Sequence, residues 1–377
     1  MQTSEPEDLY RRLREHLDRN YVGFPTTESG VELRILTQLF TPEEAEIAIE
    51  LSAIPEPAAK IHKRLKGRLT LEELVEKLDR MEAKGIIAAH PAGGERRYLK
   101  LVFAVGMYER QVATLTPELE RDTRQYMEEG FDRAFHTKKT TQLRVVPVNK
   151  KIPVEHNVAS YDEIRAHIQT SPGPFGAIPC ICRKGHALLG GKCRQTEASH
   201  NCLMVGPAAV WAASSGAGIE LTREEMLAAL DRAEEEGLVL QPENTKSPMF
   251  ICNCCGCCCN VLAGAKRLPA PAEYFSANFY AEVDVEACQS CGVCIDRCQM
   301  DAITNPEGTA LVDLSRCIGC GLCLSTCPSG AMRLVAKKEH RTPPNDTQAL
   351  YTKLFQERYG AAEMMAIGAR MAMGKKV

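Results

Sequence analysis

Residues 288–298 read CQSCGVCIDRC, and residues 317–327 read CIGCGLCLSTC. Each stretch spaces its cysteines C-x2-C-x2-C-x3-C, and Pro328 follows the second. Three cysteines at i, i+3 and i+6 on a looping backbone reach three irons of one cubane, and the fourth points away to the other cubane. That wiring assigns Cys288, Cys291, Cys294 and Cys327 to one [4Fe–4S] cluster. It assigns Cys317, Cys320, Cys323 and Cys298 to a second. Gly292, Gly319 and Gly321 let backbone amides approach the sulfides where no side chain fits. Zinc ribbons are the competing reading, but they use isolated C-x2-C pairs rather than triplets. An apolar strand follows each quartet, DAITN after the first and GAMRLV after the second.

On these motifs, residues 281–335 resemble a bacterial-type two-cluster [4Fe–4S] ferredoxin domain, over about a seventh of the chain. The resemblance implies two clusters close enough to exchange electrons and no bond chemistry on organic substrates. Gln299 departs from it, standing where the family often has proline after the fourth cysteine. The block carries Glu282, Asp284, Glu286, Asp296, Asp301, Glu307 and Asp313 against three arginines. An acidic surface suits docking to a basic redox partner, and it also serves solubility.

Ten further cysteines precede the block. Residues 179–202, PCICRKGHALLGGKCRQTEASHNC, hold Cys180, Cys182, Cys193 and Cys202. Residues 251–260, ICNCCGCCCN, hold Cys252, Cys254, Cys255, Cys257, Cys258 and Cys259. Neighbouring residues of an extended strand point to opposite faces, so six adjacent thiols do not converge on one cubane. The expectation is one or two further clusters with ligands from both stretches. The selected ligands are Cys180, Cys182, Cys193, Cys202, Cys252, Cys254, Cys255 and Cys258. A zinc site on Cys180, Cys182 and His186 or His200 is an alternative. Further alternatives are a redox-active dithiol at Cys254–Cys255 or Cys257–Cys258, and a non-cubane cluster. Arg183 and Lys184 stand ready to offset cluster charge. The region also resembles a group of larger ferredoxin-type proteins of anaerobic metabolism, with C-x-C-R, G-x-x-C and C-N-C-C-x-C-C patterns. That resemblance spans roughly residues 160–335 and is carried by Cys180, Cys182, Arg183, Gly191, Cys193, Cys202, Cys252, Asn253, Cys254, Cys255, Cys257 and Cys258.

The rest of the chain sets bounds. Its 377 residues suggest two or three domains, and 44% hydrophobic residues supply an ordinary core. A net charge of −3 is not the footprint of a nucleic-acid binder. All eighteen cysteines lie between Cys180 and Cys327, unlike the spread of a secreted disulfide scaffold. The N-terminus, MQTSEPEDLYRRLREHLDRN, has no apolar region of a signal peptide, and no stretch is apolar enough to span a membrane. These features predict a cytoplasmic protein with its thiols on metal.

The predicted fold class is α+β, in five segments. Residues 1–115 read as a winged helix-turn-helix, with helices at 31–40, 42–53, 56–66 and after Thr70, then a hairpin around Pro91–Gly94. Residues 116–262 form a mixed α/β cysteine-rich domain with a helix over 117–136, a strand at 142–148 and a helix at 161–170 capped by Ser160. A linker covers 263–280, the ferredoxin-like domain covers 281–338, and two helices near 347–359 and 361–373 end the chain. LTLEELVEKLDRMEAKGII from Leu69 echoes LTREEMLAALDRAEEEGLV from Leu221, as a repeat or as two helices obeying the same capping rules.

The functional expectation is electron transfer through [4Fe–4S] clusters, as a component of an anaerobic oxidoreductase complex. Partners would be a redox protein or oxidoreductase subunits. Because no Gly-rich nucleotide motif appears, a flavin or nicotinamide would sit on a partner. The winged helix invites a rival reading, a redox-sensing transcription regulator. Its helix after Thr70 is net acidic, however, which disfavours phosphates. A third reading is an enzyme acting at a non-cubane middle cluster.

Overall fold

The computed structural model describes residues 5–92, 94–148, 162–306 and 308–376. The expected cap at Ser160 and the acid Glu307 lie outside the described residues. The chain divides into two compact units, one of residues 1–135 and 351–377, the other of residues 136–350. The boundaries expected from the sequence fall near residues 115, 262, 280 and 338. The cysteine-rich and ferredoxin-like stretches therefore share one unit.

The first unit opens with α1 (Glu5–Asp18), α2 (Val31–Leu39) and α3 (Pro42–Ile49). Strand β1 (Glu56–Pro57), α4 (Ala58–Arg64), α5 (Leu71–Ala83), β2 (Ile87–Ala92) and β3 (Glu95–Lys100) follow. The strands form an antiparallel sheet in the order β1-β3-β2. Thr70 and Glu73 close a capping box on α5, and its buried Leu74, Leu78 and Met81 recur at helical spacing. The helix expected over 56–66 yields its first two residues to β1, where Pro57 fixes an extended entry. Short α6 (Tyr108–Arg110) precedes α7 (Pro117–Tyr126) and α8 (Asp132–His136). The single helix expected over 117–136 is interrupted by a wider π turn at Met127–Phe131.

The second unit contains α9 (Ile164–Thr170), β4 (Phe175–Ile178), α10 (Ile181–Leu188), β5 (Cys202–Val205), α11 (Pro207–Ser214), β6 (Ile219–Leu221), α12 (Arg223–Glu235), β7 (Val239–Pro242), β8 (Phe250–Cys254) and α13 (Asn260–Lys266). Five of its strands make one antiparallel sheet in the order β6-β4-β5-β8-β7. Leu203 pairs with Ile251 and Ala177 on one face, within the main core. Ile178, Cys202 and Cys252 share the other face, where α11 supplies Ala209 and Ala212. Helices α5 and α12 each have thirteen residues and the same capping box, and each is followed by a glycine at positive φ. Beyond that they diverge: α5 leads into a hairpin, α12 into an edge strand.

The strand expected at 142–148 is an extended segment rather than a regular strand. Leu143 and Val146 bridge to Glu243 and Leu240, while Val145 N–H and Val148 N–H bond to the carbonyls of Ser276 and Cys320. Its partners alternate, and Pro147 removes one donor, so no continuous ladder forms.

The remaining elements are β9 (Phe279–Val283), α14 (Val293–Arg297), β10 (Ile303–Thr304), β11 (Leu311–Val312), α15 (Leu322–Ser325), β12 (Met332–Ala336) and α16 (Thr347–Ala372). Strands β9 and β12 pair antiparallel, as do β10 and β11. The stretch expected as a linker holds α13 and buried Phe275, Ala277 and Phe279. The two terminal helices expected around residue 360 form α16, broken at Gly360 by a φ of 71°.

Candidate metal centres

Each triplet loop of the ferredoxin-like block ends in a glycine at positive φ that starts a short helix, Gly292 before α14 and Gly321 before α15. This turn brings cysteines three residues apart round to one side. One cavity is lined by Cys288, Cys291, Cys294 and Cys327, together with Ile295 and Met332. The first three come from one quartet and the fourth from the other. Burial pushes the Cys294 thiol up, with Cys291, Cys288 and Cys327 as its charged neighbours. The other set assembles likewise. Burial raises Cys320, to about 12, with Cys298 and Cys317 adding repulsion. Cys323 is raised by burial and by Cys320, Cys317, Cys298 and Cys294. Eight thiols gathered in two nests supply the donors for two metal centres. Backbone amides already address the sulfurs: Ala281 N–H meets Cys317 Sγ at 3.3 Å and Ala302 N–H meets Cys298 Sγ at 3.2 Å. Such bonds disperse thiolate charge.

The ten cysteines of the middle stretch separate into two groups, each drawing on both sequence stretches. The first is Cys193, Cys255, Cys257 and Cys258, whose sulfurs all lie within 4.8 Å of one another. Cys193 Sγ is 3.7 Å from Cys255 Sγ and 3.9 Å from Cys257 Sγ, and Cys257 Sγ is 3.6 Å from Cys258 Sγ. A hydrogen bond from Cys258 pulls the Cys255 thiol below its ordinary value, with Arg183 adding attraction.

The second group is a chain of thiol–thiol contacts: Cys202 to Cys252, Cys252 to Cys254, Cys254 to Cys259, Cys259 to Cys182, and Cys182 to Cys180. Sheet register explains half of it. Cys202 and Cys252 are directly opposed on β5 and β8, and Cys254 stands two residues on, on the same face. Helix starts explain the rest. Cys180 stands at the N-cap of α10 and Cys259 at the N-cap of α13, so both lie at helix starts.

Arg183 serves both groups. Its Nη2 donates to Asn253 O at 2.8 Å, and Nε and Nη1 are buried without a protein partner. Burial opposes its charge, yet Cys180, Cys255, Cys254 and Cys193 raise its pKa above the ordinary guanidinium value. Asn253 Nδ2 and Asn260 Nδ2 are likewise buried and unpartnered. Orphaned buried donors of this kind cost about 1–3 kcal/mol each. Bound inorganic sulfide or metal thiolate would satisfy them, so the residues fit such a group.

Of the sequence-selected middle ligands, Cys193, Cys255 and Cys258 fall in the compact group. Cys180, Cys182, Cys202, Cys252 and Cys254 fall in the chain. The selection omitted Cys257 and Cys259, which the structure places in one group each. His186 and His200 join no compact group among the described residues. His200 Nδ1 bonds to Ser199 Oγ at 2.8 Å, and a Cβ on Gly191 would strike the His186 ring.

The 4Fe–4S binding domain family matches residues 310–333, which hold Cys317, Cys320, Cys323 and Cys327. No curated protein matches the chain. Among the described residues, no helix is long and apolar enough to cross a membrane. The fold mixes helix and strand, and the chain carries an iron–sulfur binding domain, which points to electron transfer.

Proposed function

We propose that the chain carries electrons through three iron–sulfur clusters as a component of an anaerobic oxidoreductase. Two would be held by the ferredoxin-like quartets and the third within the chain of six thiols. The observation that carries this reading is the interleaved assembly of Cys288, Cys291 and Cys294 with Cys327, and of Cys317, Cys320 and Cys323 with Cys298. When bound, such clusters supply one-electron transfer at low reorganisation. The protein's residues set the conditions. Burial of the thiols excludes water and lowers the potential, whereas backbone amides and Arg183 spread negative charge and raise it.

The exit for electrons lies at Cys291, which among the eighteen thiols is the exposed one. The exposed stretch Asp284-Val285-Glu286 leads into that loop. Val285 is 65% exposed between two acids, a small apolar contact with an acidic rim. This suits a basic redox partner whose flavin or nicotinamide completes the reaction. All eighteen cysteines are free, which fits a reducing cytoplasm.

The helices α2 to α5 and the sheet β1-β3-β2 of the first unit support reading it as a winged helix, which we assign to protein docking. Three of its cations are paired: Lys77 with Glu43 and Lys84 with Glu44, both at 2.7 Å, and Arg96 with Asp79 at 3.0 Å. These pairs leave less charge for phosphates. The test is a redox titration of the anaerobic protein followed by electron paramagnetic resonance, beside a gel shift at physiological salt. Reversible one-electron steps without DNA binding support the proposal. Tight, sequence-selective DNA binding would replace it with the redox-sensor reading.

A further inference from the structure

We propose that Cys193, Cys255, Cys257 and Cys258 bind one tetrahedral zinc ion, separate from any cluster. Size distinguishes one ion from a cluster. Four thiolates on one ion, with metal–sulfur bonds of about 2.3 Å, stand about 3.8 Å apart. Three of the six sulfur–sulfur separations are 3.7, 3.9 and 3.6 Å, and all lie within 4.8 Å. A cubane puts each thiolate on its own iron at a separate corner, so its cysteine sulfurs stand well apart. The molecule holds its own control. Among the described residues, neither ferredoxin-like quartet draws its sulfurs within 4.8 Å of one another, whereas this group does. Four cysteines fill the tetrahedron and leave no open position, the mark of a structural rather than a catalytic zinc.

The local chain shows what the ion would tie together. Cys193 lies in the loop between α10 and β5, and Cys255, Cys257 and Cys258 lie in the turn between β8 and α13. That turn rests on the ferredoxin-like block. Gly256 N–H donates to Gln299 Oε1 at 2.7 Å, and Lys266 at the end of α13 pairs with Asp301 at 2.8 Å. Gln299 thus has a job that proline could not perform, since proline has no side-chain acceptor. Zinc would fasten the Cys193 loop to the turn that seats the Cys298 segment.

This inference does not rest on the electron-transfer reading. Metal analysis of the full chain, purified without oxygen or chelator, should find about one zinc per chain. Cys257→Ser and Cys193→Ser should lose that zinc at least tenfold while iron stays unchanged. Loss of about four irons in these variants, or of one iron and no zinc, would overturn the proposal. X-ray absorption at the zinc edge of the unaltered protein gives a reading that does not depend on the variants folding. Four sulfurs at about 2.3 Å support the site, and nitrogen or oxygen ligands refute it.

Discussion

Gly256→Ala probes the join between the thiol-rich turn and the ferredoxin-like block. A Cβ at residue 256 would lie 2.3 Å from Gln299 O and 3.1 Å from Lys266 Nζ. The lysine end can swing aside, but the backbone oxygen cannot. Separating carbon and oxygen to ordinary contact requires a shift of about 1 Å, and overpacking of this kind costs about 1–3 kcal/mol. The shift also stretches the 2.7 Å bond from Gly256 N–H to Gln299 Oε1, which contributes about 1 kcal/mol. The total is about 2–4 kcal/mol, concentrated on one loop. Gly190→Ala is the control: its φ is +83° but nothing lies within 4 Å of the added carbon, so only backbone strain of about 1–2 kcal/mol applies. Hydrogen exchange of the metal-loaded full chain reads both. Gly256→Ala should accelerate exchange of residues 255–259 and of 298–302 together, by about thirtyfold or more. Gly190→Ala should leave the second segment unchanged. Unchanged exchange across residues 298–302 in Gly256→Ala would refute the coupling.

Three further outcomes follow from the geometry. Cys298→Ala and Cys317→Ala should alter the same paramagnetic signal, and Cys294→Ala the other, although Cys294 and Cys298 are four residues apart; identical spectra for all three would contradict the interleaving. Arg183→Met removes a buried cation beside both thiol groups and should lower the middle-cluster potential by on the order of 100 mV, read by redox titration, with Arg183→Lys recovering part of it. Lys100 is buried and its Nζ bonds to His16 O at 3.0 Å; burial first, then Arg19, Lys376 and Arg358, bring its pKa down to about 7 from 10.5. Between those values the unfolded chain holds a proton that the folded chain lacks, so stability rises with pH across that window and the full cost is present below pH 7. Lys100→Met should therefore slow exchange of residues 95–100 at pH 6, and its advantage over the unaltered chain should shrink by about 4 kcal/mol between pH 6 and pH 10.

The turns of the two quartets were legible because loop spacing is local information: three residues per step and a glycine before each short helix set the course of the chain. Helices α3 and α5 were legible for a similar reason, since Thr41 with Glu44 and Thr70 with Glu73 each close a capping box within four residues. The middle site was only half legible. That Cys180–Cys202 and Cys252–Cys259 belong together followed from the excess of adjacent thiols. Their division into four and six did not, because it depends on the register that opposes Cys202 to Cys252 and on two helix starts that aim Cys180 and Cys259 inward. Cys257 looked surplus in a run read as extended, but a turn at Gly256 brings it beside Cys193 and Cys258. The 142–148 segment misled through composition: QLRVVPV has strand residues, yet its backbone partners come from different elements. Gln299 stood out as a departure, and only the fold shows what it holds.

The most direct test is a count of iron, acid-labile sulfide and zinc per chain in the anaerobically purified protein. Three clusters and one zinc predict about twelve irons, about twelve sulfides and about one zinc. About eight irons with no zinc would confine metal to the ferredoxin-like quartets and contradict the assignment of the ten middle thiols.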